Sequence, residues 1–214
     1  MKKLIIIFAV CFVSISLTAC SNNGNQKNSH NASSKTAQSF AGASRNKAIS
    51  RSDYHHIKLG NIASPKDGTT QKQVLRVFGK PNSKSRVTVE GTTDKKAAVQ
   101  YSWTRLSDGF RAAAVTVEFL NNHAIGKGYL QATRSKRHYP AKSRFQNLNL
   151  GTSYQTVIRD LGNPDAESLT GQGEVSAHNL TYIISKNGRA YNLLFAGNRL
   201  TSKTIITTKV HDTN

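Results

Sequence analysis

Residues 68–81 of the chain are Gly-Thr-Thr-Gln-Lys-Gln-Val-Leu-Arg-Val-Phe-Gly-Lys-Pro, and residues 151–164 are Gly-Thr-Ser-Tyr-Gln-Thr-Val-Ile-Arg-Asp-Leu-Gly-Asn-Pro. Both segments fit the pattern Gly-Thr-[Thr/Ser]-x-x-x-Val-x-x-x-[Phe/Leu]-Gly-x-Pro. A second shared motif, [Tyr/Phe]-x-x-[Ile/Leu]-x-Leu-Gly, precedes them at residues 54–60 and 145–151. Because an internal repeat reflects the architecture of the whole chain, the sequence predicts two copies of one structural unit.

Each copy of the longer pattern predicts a short amphipathic helix with both ends capped. A hydroxyl side chain stands where it can accept a hydrogen bond from the free N–H groups of the first turn. The candidates for this N-cap are Thr69, Thr70, Thr152 and Ser153. Apolar residues follow at helical spacing. Gly79 and Gly162 suit a left-handed residue at the helix end, and a proline two residues later prevents continuation.

Alternating apolar segments separated by turn residues follow the helix in both copies and predict strands. The predicted strands cover residues 86–90, 97–103, 113–120, 123–130, 174–184, 190–196 and 200–207. Aligning Phe119 with Phe195 also aligns Lys127 with Lys203. The predicted fold class is α+β, with two tandem repeats that each consist of a helix pair followed by a four-stranded antiparallel sheet.

The N-terminal residues have the pattern of a secretory signal, with a basic start and an apolar stretch from Leu4 to Leu17. Leu17-Thr18-Ala19-Cys20 resembles the lipobox of bacterial lipoproteins. That resemblance implies cleavage before Cys20, acyl chains on the new N-terminal cysteine, and a membrane-lipid anchor on the extracytoplasmic face of the bacterial cell membrane. The alternative is an ordinary signal peptide in which Cys20 is incidental. Cys11 is the only other cysteine, so no disulfide is expected.

Composition suggests where the folded part begins. The chain has 30 Lys and Arg residues against 11 Asp and Glu residues, a formal charge of +19. The predicted order is a signal peptide at 1–19, a disordered basic tether at 20–52, a first repeat at 53–133, a basic linker at 134–142 and a second repeat at 143–214. The charge of the tether either draws it to anionic lipid or polymer or is incidental.

The repeated motifs resemble the β-lactamase-inhibitor-protein-like fold, which is shared with small outer-membrane-assembly lipoproteins. They are most similar to double-repeat lipoproteins of Gram-positive bacteria. The resemblance covers Tyr54 to Thr208 and implies a binding protein with an exposed sheet. The first repeat departs from the short form by an insertion at Asn61–Asp67, and no inhibitory contact residue of the family matches a residue of this chain.

Two groups of residues are candidates for binding a partner. Tyr101, Trp103 and Tyr182 lie on predicted strands and form either an aromatic face for a protein partner or part of the core. Arg134, Lys136 and Arg137 form either a patch for an anionic polymer such as teichoic acid or a solvated linker.

The sequence contains no recognisable catalytic constellation. His55-His56 lacks a third metal ligand at a recognisable spacing, and acidic residues are too scarce to favour a glycosidase pair. No enzyme activity, cofactor, metal, small-molecule substrate or nucleic acid is expected. The predicted function is therefore a surface-anchored, non-catalytic module that binds a protein or an anionic wall polymer. The alternatives are an envelope assembly or scaffold factor and an inhibitor of a secreted hydrolase such as a β-lactamase.

Overall fold

The computed structural model describes residues 47–90, 95–132 and 138–208. The helices in these ranges are α1 (Arg51–His55), α2 (Gln71–Phe78), α3 (Lys142–Gln146) and α4 (Tyr154–Leu161), with 3₁₀ turns at Pro65–Asp67 and Gly173–Val175. The strands are β1 (Ser83–Glu90), β2 (Lys95–Trp103), β3 (Ala112–Leu120), β4 (His123–Gln131), β5 (Ala166–Thr170), β6 (Ala177–Ile183), β7 (Arg189–Ala196) and β8 (Arg199–Thr207). None of the described helices is long and apolar enough to cross a membrane.

The strands form one antiparallel sheet of eight strands, in the order of the chain from β1 to β8. At its centre β4 pairs with β5, with Gly126 opposite Thr170 and Leu130 opposite Ala166. The predicted architecture of two repeats, each with its own four-stranded sheet behind a helix pair, is therefore wrong. The cause is the pairing of β4 with β5, which satisfies backbone groups that two separate sheets would leave unpaired at their edges.

The strand β5 is the element that the sequence did not predict. It has five residues, Ala166–Thr170, and the prediction began a strand at residue 174 instead. Residues 173–175 form a 3₁₀ turn, and β6 begins only at Ala177. A segment this short, with few β-branched residues, has a weak strand pattern of its own, and pairing on both sides determines its conformation.

The two capped helices are the elements that the sequence predicts best. The Thr70 hydroxyl accepts from the Gln73 N–H at the start of α2, and the Ser153 hydroxyl accepts from the Thr156 N–H at the start of α4. Gly79 and Gly162 end these helices with φ of 74° and 81°. In this left-handed region glycine avoids the strain that a side chain would add.

All four helices pack against the same face of the sheet. In the first half, Tyr54, Val74 and Phe78 are buried against residues of β2, β3 and β4. In the second half, Phe145 and Val157 are buried against residues of β6, β7 and β8. We call this side of the sheet the helix face. Burial of large apolar side chains on it is the main source of stability, because each contributes about 1.5–3 kcal/mol.

Residues just before the predicted start of the first repeat already belong to the folded structure. Ile49 is only 2% exposed and belongs to the core of the first half, and its N–H donates to the Arg105 carbonyl at 3.0 Å. The next residue, Ser50, caps α1. The buried Ile49 side chain and the backbone hydrogen bonds of Ile49 with Arg105 and Ser107 hold this part of the chain on the core.

Candidate functional site

The side of the sheet opposite the helix face is the candidate functional site, and we call it the open face. Strand pairing places its side chains in rows that cross the sheet. The first row is Ser102, Thr116, Gly128, Ser168, Asn179, Leu194 and Ser202. The second is Gln100, Glu118, Gly126, Thr170, Ala177, Ala196 and Arg199. The third is Ala114, Leu130, Ala166, Thr181, Asn192 and Thr204.

The open face is made of small and uncharged polar side chains, in contrast to the strongly basic chain as a whole. Within the three rows the charged residues are Glu118, near the middle of the sheet, and Arg199, on the edge strand β8. Leu130 is 53% exposed near the middle of the sheet, which provides one apolar contact. None of the described helices packs on this side. A small apolar cluster that includes Val89, Leu120 and Ile125 lies at one end of it.

Two buried amide oxygens of the open face accept no hydrogen bond from the described part of the chain. Asn179 is 7% exposed, and its Oδ1 accepts no hydrogen bond from a described residue. The Oδ1 atom of Asn192, on the next strand, is also buried without a donor. Because buried polar atoms in folded proteins are nearly always hydrogen-bonded, these two oxygens are an exception within the described part of the chain.

Two glycines keep side chains away from the centre of the open face. A Cβ atom at Gly128 would lie 2.6 Å from the Glu167 carbonyl oxygen, and one at Gly126 would lie 2.8 Å from the Glu118 Oε2 atom. Any larger residue at Gly128 would therefore collide with the backbone of β5. The surface at this point therefore consists of small side chains.

Glu118 carries an isolated charge on the open face. Burial raises the pKa of its carboxyl group, because an ionised carboxylate loses hydration there. Among the described residues it forms no ion pair with a lysine, arginine or histidine. A lone, partly desolvated carboxylate is unfavourable for folding and is suited to a basic or hydrogen-bond-donating group of a partner.

The aromatic residues proposed as a binding face lie on the helix face instead. Tyr101, Trp103 and Tyr182 are 6%, 1% and 2% exposed, so they are part of the core and not a surface for a partner. The Trp103 Nε1–H donates to the Gly79 carbonyl at 3.1 Å, and the Tyr182 hydroxyl donates to the Gly162 carbonyl at 2.8 Å. Both side chains thus bind the end of a capped helix.

The other predicted site residues lie outside the described part of the chain. These are Cys20, Arg134, Lys136 and Arg137. In the described residues no group of three His, Cys, Asp or Glu side chains is arranged to hold a metal ion. The His55 imidazole is partly buried, and this burial lowers its pKa.

The sequence does not reveal the open-face residues as a site, because they lack the aromatic and charged side chains that are typical of binding residues. Their sequence signal is the second set of alternating positions in each strand. Ser, Thr, Asn, Ala and Gly occupy these positions, between the apolar residues that point to the helix face. The sequence Gly126-Lys-Gly128 within a strand was a further signal, because glycine in a strand often marks a close backbone approach.

A sheet with helices on one face and a bare polar face on the other is the fold class of β-lactamase-inhibitor-like proteins, and this part of the prediction is confirmed. The chain belongs to the family of DUF3862, a domain of unknown function with a solved structure, which matches residues 31–207. It is also similar to a crystal structure from Streptococcus mutans that is described as a "putative beta-lactamase inhibitor protein".

The two structures superpose with a TM-score of 0.53 at 20% sequence identity. The match covers 73% of this chain and 96% of the Streptococcus mutans chain. At this identity the similarity establishes the fold alone. No curated protein shows significant sequence similarity to the chain.

Proposed function

We propose that this protein is a non-catalytic binding module that docks a protein partner on the open face of its sheet. The observation that carries the proposal is a sheet face of small and polar side chains that no described helix covers, with Leu130 53% exposed near its middle. Polar side chains around an exposed apolar one suit the mixed polar and apolar surface of a protein partner.

The charge of the open face favours a protein over an anionic wall polymer as its occupant. A polyanion is held by several lysine and arginine side chains, and the three rows contain one, Arg199 on the edge strand β8. Glu118 would repel a polyanion. A wall polymer or lipid would therefore bind to another surface.

We also propose that the module is held on the extracytoplasmic face of the bacterial membrane by acyl chains on Cys20. Replacing Cys20 by Ala should move the protein from the membrane fraction to the soluble fraction and remove the acyl mass from the N-terminal peptide. Cys11→Ala is the control, because this residue lies in the signal segment and should leave fractionation unchanged. Membrane retention of the Cys20→Ala variant would exclude a lipid anchor at this residue.

Photo-crosslinking in cells tests the proposed docking surface. A photoreactive amino acid at Ser168, which is exposed on β5 of the open face, should give a discrete adduct with a partner. The same amino acid at Gln155, which is exposed on α4 of the helix face, is the control and should not give this adduct. Equal adducts at both positions, or none at Ser168, would count against the open face.

Inhibition of a secreted hydrolase is a second candidate function, favoured by the description of the Streptococcus mutans protein. A purified class A β-lactamase titrated with the chain should lose activity with saturation at one chain per enzyme, and Ser168→Arg should abolish the effect. An envelope assembly or scaffold function predicts instead that the adduct at Ser168 contains a component of an envelope complex.

A further inference from the structure

The outer edge of β8 repeats the edge at which the first half of the chain is joined to the second. The last strand of each half carries the aligned lysine, Lys127 in β4 and Lys203 in β8. The strand β4 pairs on its far side with β5. Among the described residues, β8 pairs from Lys203 onwards with β7 alone. We propose that this free edge of β8 pairs with the same edge of a second copy of the chain.

The backbone of β8 has free groups at the positions that β4 uses to bind β5. The Thr208 N–H donates at 2.8 Å to the carbonyl of the residue before β7. Because successive residues of a strand direct their backbone groups to opposite sides, those of Ile205 and Thr207 point away from β7. Their equivalents in β4 are Tyr129 and Gln131, and the Gln131 N–H donates at 2.7 Å to the carbonyl of the residue before β5. The two edges therefore present the same hydrogen-bonding groups.

Side chains at the β8 edge are exposed where their equivalents in β4 are buried. Ile205 is 43% exposed, whereas Tyr129 is 4% exposed. Lys203 is half-buried, whereas Lys127 is buried. In the first half β5 lies beside these residues, and its Leu169 packs against the core there. A strand added to the β8 edge would remove the apolar side chain of Ile205 from water in the same way.

The charge of β1 disfavours it as the strand that fills this edge. Counting from the proline after each capped helix, Arg86 of β1 occupies the position that Leu169 has in β5. In the chain Leu169 lies opposite Lys127. If β1 of another copy docked on β8 in the same manner, Arg86 would lie opposite Lys203, and like charges in this position are destabilising. The basic edge of β1 thus opposes an open, head-to-tail chain of copies.

The edge of β8 is complementary to itself. Residues 204–207 are uncharged and β-branched, which favours strand pairing. With Thr204 on a two-fold axis, Lys203 of each copy lies opposite Ile205 of the other, just as the aligned lysine of β4 lies opposite Leu169 of β5. Each Lys203 ammonium is already bound to three carbonyls of its own copy. The result is a closed pair in which the two open faces lie on the same side and form one continuous surface.

Sedimentation velocity of the full chain tests the proposal, with Cys11→Ala and Cys20→Ala to remove the thiols. We expect a reversible dimer, strengthened by salt because the chain has a formal charge of +19. Ile205→Lys should raise the dimer dissociation constant about tenfold or more, because each new lysine faces Lys203 of the other copy. Val175→Lys, at an exposed valine in a 3₁₀ turn, adds the same charge and should leave the dimer unchanged. Thermal melting checks that both variants fold.

A disulfide tests the register of the two strands. In the same thiol-free chain, Thr204→Cys places two thiols across the two-fold axis, where opposing Cβ atoms lie about 4.5–5.5 Å apart. Mild oxidation should link the two copies covalently. Ser85→Cys is the control, because Ser85 is an equally exposed residue of the other edge strand, β1, and it should give little cross-linked product.

Three results would overturn the proposal. These are a chain that stays monomeric at its highest soluble concentration, equal effects of Ile205→Lys and Val175→Lys, and equal cross-linking of the two cysteine variants. Assemblies larger than a dimer would also contradict it, because they need a second edge. A monomeric chain that binds a peptide of residues 165–171, and binds it less well with Ile205→Lys, would assign the edge to an extended segment of another protein instead.

Discussion

Lys127 and Lys203 make the same contact in the two halves of the chain. The Lys127 ammonium donates to the carbonyls of Tyr54, His55 and Ile57 at 3.1, 3.4 and 2.8 Å. The Lys203 ammonium donates to the carbonyls of Phe145, Gln146 and Leu148 at 3.2, 2.7 and 2.7 Å. Each lysine therefore satisfies the carbonyls that are left free at the end of a short helix, where a positive charge is also favoured by the helix dipole.

The two lysines should differ in their contribution to stability. Lys127 is 8% exposed, so Lys127→Met leaves buried carbonyls without a donor and should lower the free energy of unfolding by about 2–3 kcal/mol. Lys203 is less buried, and water can replace its ammonium, so Lys203→Met should cost about 1 kcal/mol or less. Urea denaturation of both variants measures the difference, and a larger loss for Lys203→Met would contradict this account of the contact.

His178 should make the protein less stable in mild acid. Burial lowers the pKa of its imidazole from 6.5 to about 4. Between these values the unfolded chain binds more protons than the folded chain, so the free energy of unfolding should fall as the pH drops from 6.5 towards 4. His178→Phe retains an aromatic ring beside Tyr154, whose ring centre lies 4.7 Å away, and should reduce this loss.

The matched control for this pH dependence is His56→Phe, because His56 is exposed. Denaturation curves at several pH values should show the same acid loss in this variant as in the unmodified protein. Glu167, whose pKa is raised mainly by burial, acts in the opposite direction, since the folded state takes up its proton first. Both histidine variants retain Glu167, so the contribution of Glu167 cancels when their losses of stability in acid are compared. An unchanged acid loss in His178→Phe would exclude His178 as its source.

The seam between β4 and β5 should be sensitive to single methyl groups. Gly128→Ala places a Cβ against the Glu167 carbonyl oxygen at 2.6 Å, and the backbone must move, so we expect a loss of about 1–3 kcal/mol. Gly126→Ala meets the flexible Glu118 side chain instead and should cost less. Gly109→Ala meets no atom within 4 Å and serves as the control. Thermal melting of the three variants should give this order, and equal effects would contradict the close approach.

Glu118 should reduce stability while contributing to binding. Because burial raises its pKa, the ionised form destabilises the free protein at neutral pH, and Glu118→Gln should stabilise it by up to about 1 kcal/mol. The same substitution should weaken the partner adduct formed at Ser168. Glu174→Gln, an exposed position in a 3₁₀ turn, is the control for loss of a negative charge. A destabilised Glu118→Gln variant would indicate a structural role for the carboxylate.

The sequence predicts local elements well where a few residues determine the backbone. Thr70 and Gly79 specify the two ends of α2 through a capping box and a left-handed glycine. Most strands are found because their residues alternate. The strand β5 is not found, because its conformation depends on β4 and β6 on either side of it.

The candidate site was harder to predict, for a physical reason. Alternation shows that Tyr101 and Val117 share a face with Phe119, but it does not show which face the helices cover. The aromatic residues were considered as a binding surface, whereas their size makes them the side chains that gain most from burial. The open face arises from strand register and from the pairing of β4 with β5, which the repeat pattern alone does not encode.

The continuous hydrogen bonding from β4 to β5 also determines how the protein can be divided. A fragment that stopped before Lys142 would lack β5, and the backbone of β4 would become an unprotected edge next to two glycines. We therefore expect that neither half folds alone and that the two melt in one cooperative transition. The repeat that is visible in the sequence would then belong to a single folding unit, which truncation should destroy.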